Sequence, residues 1–133
     1  MATDTTQLIA REHSINAVHC ISATVGFADD GTAVTVGVIP AGSMILKPIS
    51  GVHVNTAFDA GTTNTLNIGT SSDDNLYGTL LALGTTTFVP CDEAVGGYLV
   101  TADTTITATV VLTGTAATAG SGVVTINYIP RVG

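Results

Sequence analysis

The side chains in this chain best suited to catalysis are a few histidines and two cysteines. His19 precedes Cys20, His53 lies between two valines, and Cys91 stands far along the sequence. A nucleophilic thiol needs a histidine within hydrogen-bond reach, and such pairs meet in space, so His19 with Cys91 and His53 with Cys20 are both conceivable dyads. No nucleophile elbow or family cysteine signature surrounds them. We therefore expect ordinary strand histidines and a chain that is not an enzyme.

Three pairs of neighbouring carboxylates are the next candidates, as oxygen ligands for calcium. They are Asp29-Asp30, Asp73-Asp74 and Asp92-Glu93, and none has the D-x-D-x-D-G spacing of a calcium loop. Asp30 followed by glycine is typical of a tight turn, and the other two pairs are typical of solvated loop ends. We expect no metal and no cofactor.

Composition limits the partners of the chain. It has 133 residues, which is one domain, and only 10% of them are charged against about a quarter in ordinary soluble domains. Three basic against ten acidic residues give a net charge of −7. This charge disfavours nucleic acid and anionic membranes as partners. No long apolar run and no signal peptide are seen, so synthesis in a reducing cytoplasm is expected, with free thiols at both cysteines.

The elements that would position any site are β-strands. Threonine is the most frequent residue, and apolar and polar residues alternate over most of the chain after residue 16. Ile21, Ala23, Val25 and Phe27 predict one face of a first strand. Residues 34–38 predict a second strand, with Val34, Val36 and Val38 on one face, and the Asp-Gly reversal between the two predicts a hairpin.

Further strands are indicated downstream. Residues 44–54 predict a long strand broken near Pro48 and Gly51, residues 65–69 a short one, and residues 86–89 and 97–100 two more, whereas residues 76–83 fit a helical turn or a strand. The clearest alternation covers residues 105–112 and 124–128, which predict the two strands at the centre of the core. About eight antiparallel strands predict an all-β jelly-roll β-sandwich, with an immunoglobulin-like sandwich as the alternative.

The first 16 residues lack this alternation. We expect residues 1–16 to form an extended N-terminal arm and residues 17–133 to form the jelly-roll domain. Leu8, Ile9 and Ile15 are the large aliphatic side chains of the arm after Met1, and they are the expected anchors on a partner. An extended arm of this length reaches about 50 Å.

Three segments resemble small structural proteins of tailed bacteriophages. They are residues 55–70 (NTAFDAGTTNTLNIGT), 99–106 (LVTADTTI) and 115–120 (TAATAG) before a valine-rich last strand. In particular, the chain resembles the jelly-roll cement, or head decoration, proteins over roughly residues 17–130. That resemblance implies a virion protein on the capsid exterior, assembled in the host cytoplasm, which binds the major capsid protein and itself as a dimer or trimer. It implies no catalytic residues.

Two other functions stay open at this level. A phage tail, fibre or receptor-binding β module would present its loops to a host glycan, for which an aromatic platform is usual. A cupin-like enzyme would need several histidines and a carboxylate around a metal, and no H-x-H pair is present.

Overall fold

The computed structural model describes residues 17–91 and 97–130, and the statements below concern this part of the chain. The described residues form ten strands joined by turns and two single-turn 3-10 helices. The strands are β1 (His19–Gly26), β2 (Ala33–Ile39), β3 (Met44–Leu46), β4 (Gly51–Thr56), β5 (Thr63–Gly69), β6 (Gly78–Ala82), β7 (Phe88–Pro90), β8 (Gly97–Leu99), β9 (Thr104–Thr113) and β10 (Ser121–Ile129). None of these helices is long enough to cross a membrane.

The first sheet has four strand positions, two of which hold interrupted strands. β10 pairs with β1 on one side and with both β3 and β4 on the other, while β7 pairs with β4 and β8 with β3. A 3-10 turn at Lys47–Ile49 separates β3 from β4. Pro48 in this turn has no N–H to give to a ladder, which explains the interruption. The predicted break near Pro48 and Gly51 is therefore confirmed.

The second sheet has the order β2-β9-β5-β6, and all of its pairs are antiparallel. With each interrupted strand counted once, the chain builds two four-stranded sheets in which consecutive strands repeatedly change sheet. This is the arrangement of an eight-stranded jelly roll. The predicted all-β jelly-roll β-sandwich is confirmed.

The core lies between the sheets and is built by alternation. β9 contributes Ile106, Ala108 and Val110, and β10 contributes Val124 and Ile126, all of them fully buried. These two strands occupy the interior of opposite sheets, because β9 lies between β2 and β5, and β10 lies between β1 and the β3/β4 pair. The prediction that the last two long strands centre the core is confirmed.

The predicted hairpin between the first two strands is wrong. β1 belongs to one sheet and β2 to the other, and the Asp-Gly turn carries the chain between them. The turn is bonded to β9 instead: the N–H of Gly31 donates to the Val110 carbonyl at 2.9 Å, and Asp30 Oδ1 accepts the N–H of Leu112 at 2.9 Å. These long-range bonds fix the direction of the turn.

Two residues also depart from the strand faces predicted for them. Phe27 belongs to a 3-10 turn, Phe27–Asp29, beyond the end of β1, and is exposed. Val38 is 53% exposed because the pairing of β2 with β9 shifts between Thr35 and Gly37, and this bulge turns Val38 outward and Ile39 inward. The ambiguous residues 76–83 contain strand β6.

Candidate functional site

The described strands carry no charged residue. Each of the ten strand sequences lacks Asp, Glu, Lys and Arg. The charged residues within the described ranges all lie in turns and loops, and the one cation among them is buried: they are Asp29, Asp30, Lys47, Asp59, Asp73, Asp74 and Asp103. Free β-proteins commonly place charges, especially lysine, on exposed edges to prevent strand pairing. The faces and edges of these sheets are chemically suited to neutral packing.

The outer face of the second sheet is rich in threonine. Thr35 lies opposite Thr107 across β2 and β9, and Thr63 lies opposite Thr113 across β5 and β9. Directly opposed threonines interact across a sheet through methyl contacts and hydroxyl hydrogen bonds. The threonines on this side of the sheet by alternation are Thr35, Thr63, Thr65, Thr105, Thr107, Thr109 and Thr113, of which Thr107 and the hydroxyl of Thr65 are buried.

The outer face of the first sheet mixes apolar and polar groups in rows that cross the strands. One row contains Leu99, Met44 and Ile129, which lie opposite one another across β8, β3 and β10. A second row contains Phe88 and His53, with Val123 beyond them. Leu99 and Phe88 are exposed. Apolar side chains of this kind on an uncharged face are typical of a surface that another protein covers.

Asp59 connects two loops at one end of the sandwich. Its Oδ1 accepts the N–H groups of Thr118 (2.8 Å) and Ala119 (3.0 Å), and its Oδ2 accepts the Thr118 hydroxyl (2.8 Å). The backbone bond from Ala119, followed by the side-chain and backbone bonds from Thr118, lowers the pKa of Asp59 below its ordinary value. The carboxylate therefore ties the loop before β10 to the loop after β4 at neutral pH.

A shallow cleft lies at the opposite end, between the loop after β5 and the loop after β8. Its volume is about 410 Å³, and most of the side chains around it carry hydroxyl groups. Asp103 lies at this cleft and accepts the N–H of Ala41 through Oδ1 at 2.9 Å. The lining hydroxyl residues are Thr70, Ser71, Ser72, Tyr77, Thr101, Thr104 and Thr105.

Neither histidine–cysteine pair comes together. His53 lies on β4 and Cys20 on β1, with β10 between them, so their backbones are about 10 Å apart across the sheet alone. His19 stacks on Tyr128 at a centroid distance of 5.7 Å, while Cys91 follows β7 at the far edge of that sheet. The two cysteines are on opposite edges, too far apart for a disulfide within one chain.

The carboxylate pairs serve local structure where they are described. Asp29 Oδ2 accepts the N–H of Gly26 at 2.7 Å, and Asp30 is bonded to Leu112 as described above. The interpretation of this pair as turn chemistry is confirmed. Among residues 17–91 and 97–130, no three His, Cys, Asp or Glu side chains cluster as metal ligands would. Asp92-Glu93 lies outside the described residues.

The predicted anchors Leu8, Ile9 and Ile15 also lie outside the described residues, so the arm stays a prediction. The feature that sequence reasoning missed is the absence of charge from all ten described strands. The 10% charged fraction signalled it. Strand boundaries were needed to see that the few charges are confined to turns and loops.

The fold defines the class of the chain as a jelly-roll β-sandwich. Two solved structures contain chains with this fold. One belongs to the capsid asymmetric unit of cyanophage Pam1, with a TM-score of 0.64 and 24% identity over 85% of this chain and 84% of that chain. The other belongs to the acidic stable capsid structure of Helicobacter pylori bacteriophage KHP30, with a TM-score of 0.63 and 16% identity over 86% of this chain and 89% of that chain.

At these identities the likeness shows a shared fold. No known family model matches the chain, and no curated protein matches it.

Proposed function

We propose that this chain is a structural protein of a bacteriophage virion that decorates and stabilises the capsid by binding the lattice of major capsid protein from outside. The observation that carries the proposal is the absence of charge from all described strands, which leaves two sheet faces and their edges suited to neutral packing. The fold shared with chains of two phage capsid structures supports the same role. Synthesis and assembly would take place in the host cytoplasm.

The mechanism of capsid binding in this proposal follows from the uncharged faces of the two sheets. A decorating protein binds equivalent positions of a symmetric lattice, and closed symmetric oligomers of identical subunits, such as dimers or trimers, suit such positions. A chain that binds the mature shell and not its dissociated subunits stabilises the shell by mass action. The threonine-rich face offers methyl groups and hydroxyls without the cost of desolvating a charge.

The role is non-catalytic in this proposal. The two pairs considered as dyads, His19 with Cys91 and His53 with Cys20, lie on or next to different strands of the first sheet and do not meet. We expect no cofactor and no nucleic acid partner, in agreement with the net charge of −7.

Binding to empty capsids tests the proposal directly. Purified chain is mixed with empty heads assembled from the major capsid protein of the same virus, and bound chain is measured by co-sedimentation. We expect saturable binding that changes little between low and high salt, because the described strands that form the sheet faces carry no charge. Thr109→Lys, which places a charge on the threonine-rich face at β9, should weaken binding, while Thr87→Lys on an exposed loop should not. Absence of binding by the unmodified chain would refute the proposal.

The hydroxyl-lined cleft favours a second candidate, a tail, fibre or receptor-binding module. Hydroxyl groups and Asp103 match the hydrogen-bonding pattern of a neutral sugar, although Tyr77 is almost fully buried and offers no open aromatic face. Binding of the chain to host cells, competed by free host glycan and absent from empty capsids, would favour this candidate over capsid decoration.

A further inference from the structure

Three of the four free sheet edges in the described part of the chain have devices that discourage strand pairing. β2 contains the bulge at Thr35–Gly37. β6 contains a register shift and Leu80, whose positive φ of 52° interrupts the extended backbone. The remaining edge of the first sheet is divided into β7 and β8, each three residues long, and β7 ends at Pro90. Bulges, short strands and proline are the usual protection of edges.

The fourth edge, β1, has none of these devices. It is eight residues long, contains no proline or charge, and pairs with β10 from His19 to Gly26 without a register shift. Its polar residues Cys20, Ser22 and Thr24 are exposed, and Ile21 and Ala23 on the inner side are only half-buried. Such an edge is a template for another strand.

The backbone groups that are free on this edge can be identified. Successive residues of an antiparallel strand direct their N–H and C=O groups alternately to the two sides. The N–H of Phe27 donates to the Gly120 carbonyl at 3.2 Å, so the odd-numbered residues face β10. Cys20, Ser22 and Thr24 therefore direct their backbone groups outward. The N–H of Gly26 is already bonded to Asp29 Oδ2, which closes the end of the edge.

We propose that two copies of this chain pair through their β1 edges, antiparallel, about a two-fold axis at Ser22. The inference rests on the self-association in the proposed function and identifies its surface. A strand that pairs with β1 must itself be extended, uncharged and unpaired on one side, and β1 of a second copy meets each condition. With the axis at Ser22, Ser22 faces its own copy and Cys20 faces Thr24, so the three outward residues match the three of the partner.

The same geometry continues the sheet across the interface. A two-fold axis perpendicular to the sheet keeps the inner faces of both copies on one side. Ile21 and Ala23, half-buried at the edge of a single copy, then pack beside their counterparts. The first sheets of the two copies, each with four strand positions, then form one continuous sheet of eight positions. Neither copy of β1 is an edge strand in that sheet.

Ser22→Pro tests the pairing. Proline at Ser22 removes an N–H that points away from β10, and edge strands tolerate such prolines. Sedimentation of the full chain over increasing concentration should show dimers for the unmodified chain and for Ser22→Ala, which keeps the N–H, and monomers for Ser22→Pro with unchanged β-sheet circular dichroism. A monomeric unmodified chain, or a dimeric Ser22→Pro chain, would overturn the pairing.

Disulfide cross-linking tests the register with a variant that leaves the pairing of the two β1 strands intact. In a Cys20→Ser background, Ser22→Cys brings two thiols together at the axis, within the Cα separation that a disulfide requires. Mild oxidation should give a disulfide-linked dimer, whereas Thr105→Cys on the inner strand β9 should not. Equal cross-linking of both would overturn the register. If the chain dimerises but does not bind empty capsids, only the proposed function is contradicted. If it is monomeric and binds them, only the edge pairing is contradicted.

Discussion

At the scale of single residues, Asp59 illustrates how a fully exposed carboxylate becomes structural. It accepts three hydrogen bonds from Thr118 and Ala119, about 60 residues further along the chain. The bonds exist in the folded state and lower the pKa of Asp59. The stabilisation is therefore present above the pKa of an unfolded aspartate, about 3.9, and is lost as the pH falls through the lower folded value.

Asp59→Asn should therefore lower the melting temperature near pH 7 and have a smaller effect near pH 3, which is below the pKa of an unfolded aspartate, so that the unfolded chain is already protonated there. Thermal unfolding at both pH values measures this difference. Asp74→Asn, which removes the same charge from an exposed loop, serves as the control and should change the melting temperature little at either pH. An Asp59→Asn effect of equal size at both pH values would mean that the charge of Asp59 is irrelevant.

The core residues of the central strands belong to the same scale. Val110→Ala and Ile126→Ala should each lower the free energy of unfolding by roughly 1–4 kcal/mol, because each removes fully buried methyl groups and leaves a void. Val38→Ala removes the same atoms as Val110→Ala from an exposed position, and should change the free energy of unfolding by less than about 0.5 kcal/mol. Chemical denaturation measures all three. Similar values for both valines would contradict the assigned faces.

At the scale of elements, the connection between β9 and β10 requires glycine at position 120. Gly120 has a φ of 146°, and a Cβ there would lie 2.5 Å from ring atoms of buried Phe58. Both the backbone conformation and the available space therefore require glycine.

Gly120→Ala should destabilise the fold by more than about 1 kcal/mol, since it combines backbone strain with overpacking against a ring. Gly84→Ala is the matched control, because an added Cβ there meets no atom within 4 Å. Denaturation midpoints of the two variants measure the contrast. A Gly120→Ala chain as stable as the control would show that Phe58 and the turn can move aside.

At the scale of the whole molecule, the body and the arm have separate expected roles. Residues 17–130 include all ten described strands, so the body should fold without the first 16 residues. Leu8, Ile9 and Ile15 would each contribute about 1.5–3 kcal/mol on burial against a partner, before ordering costs. The arm then strengthens binding rather than folding.

A chain that starts at Ala17 should keep its β-sheet circular dichroism and most of its melting temperature, and should bind empty capsids poorly at both low and high salt. Co-sedimentation with the capsids measures the binding. Full binding by the shortened chain would refute the tether, and failure to fold would show that residues 1–16 belong to the core.

Local regularities of the sequence determined much of this fold. Period-two alternation in residues 105–112 and 124–128 placed both central strands and their buried faces, and Pro48 with Gly51 located an interruption. The low charged fraction indicated surfaces for neutral packing. These features are local because the face of a side chain depends on the conformation of its own strand.

Which strands pair with one another was decided only by tertiary structure. Alternation orients β1 and β2 equally well as a hairpin or in opposite sheets. Two hydrogen bonds with β9, 79 to 82 residues away, select the second arrangement: Gly31 donates to Val110, and Asp30 accepts from Leu112. The bulge that exposes Val38 arises from pairing with β9, and its signal within β2 is limited to Gly37, since a glycine inside a strand often marks a bulge. The unprotected edge of β1 can likewise be recognised only from the order of the strands in the sheet, because an edge strand is one that has a neighbouring strand on one side only.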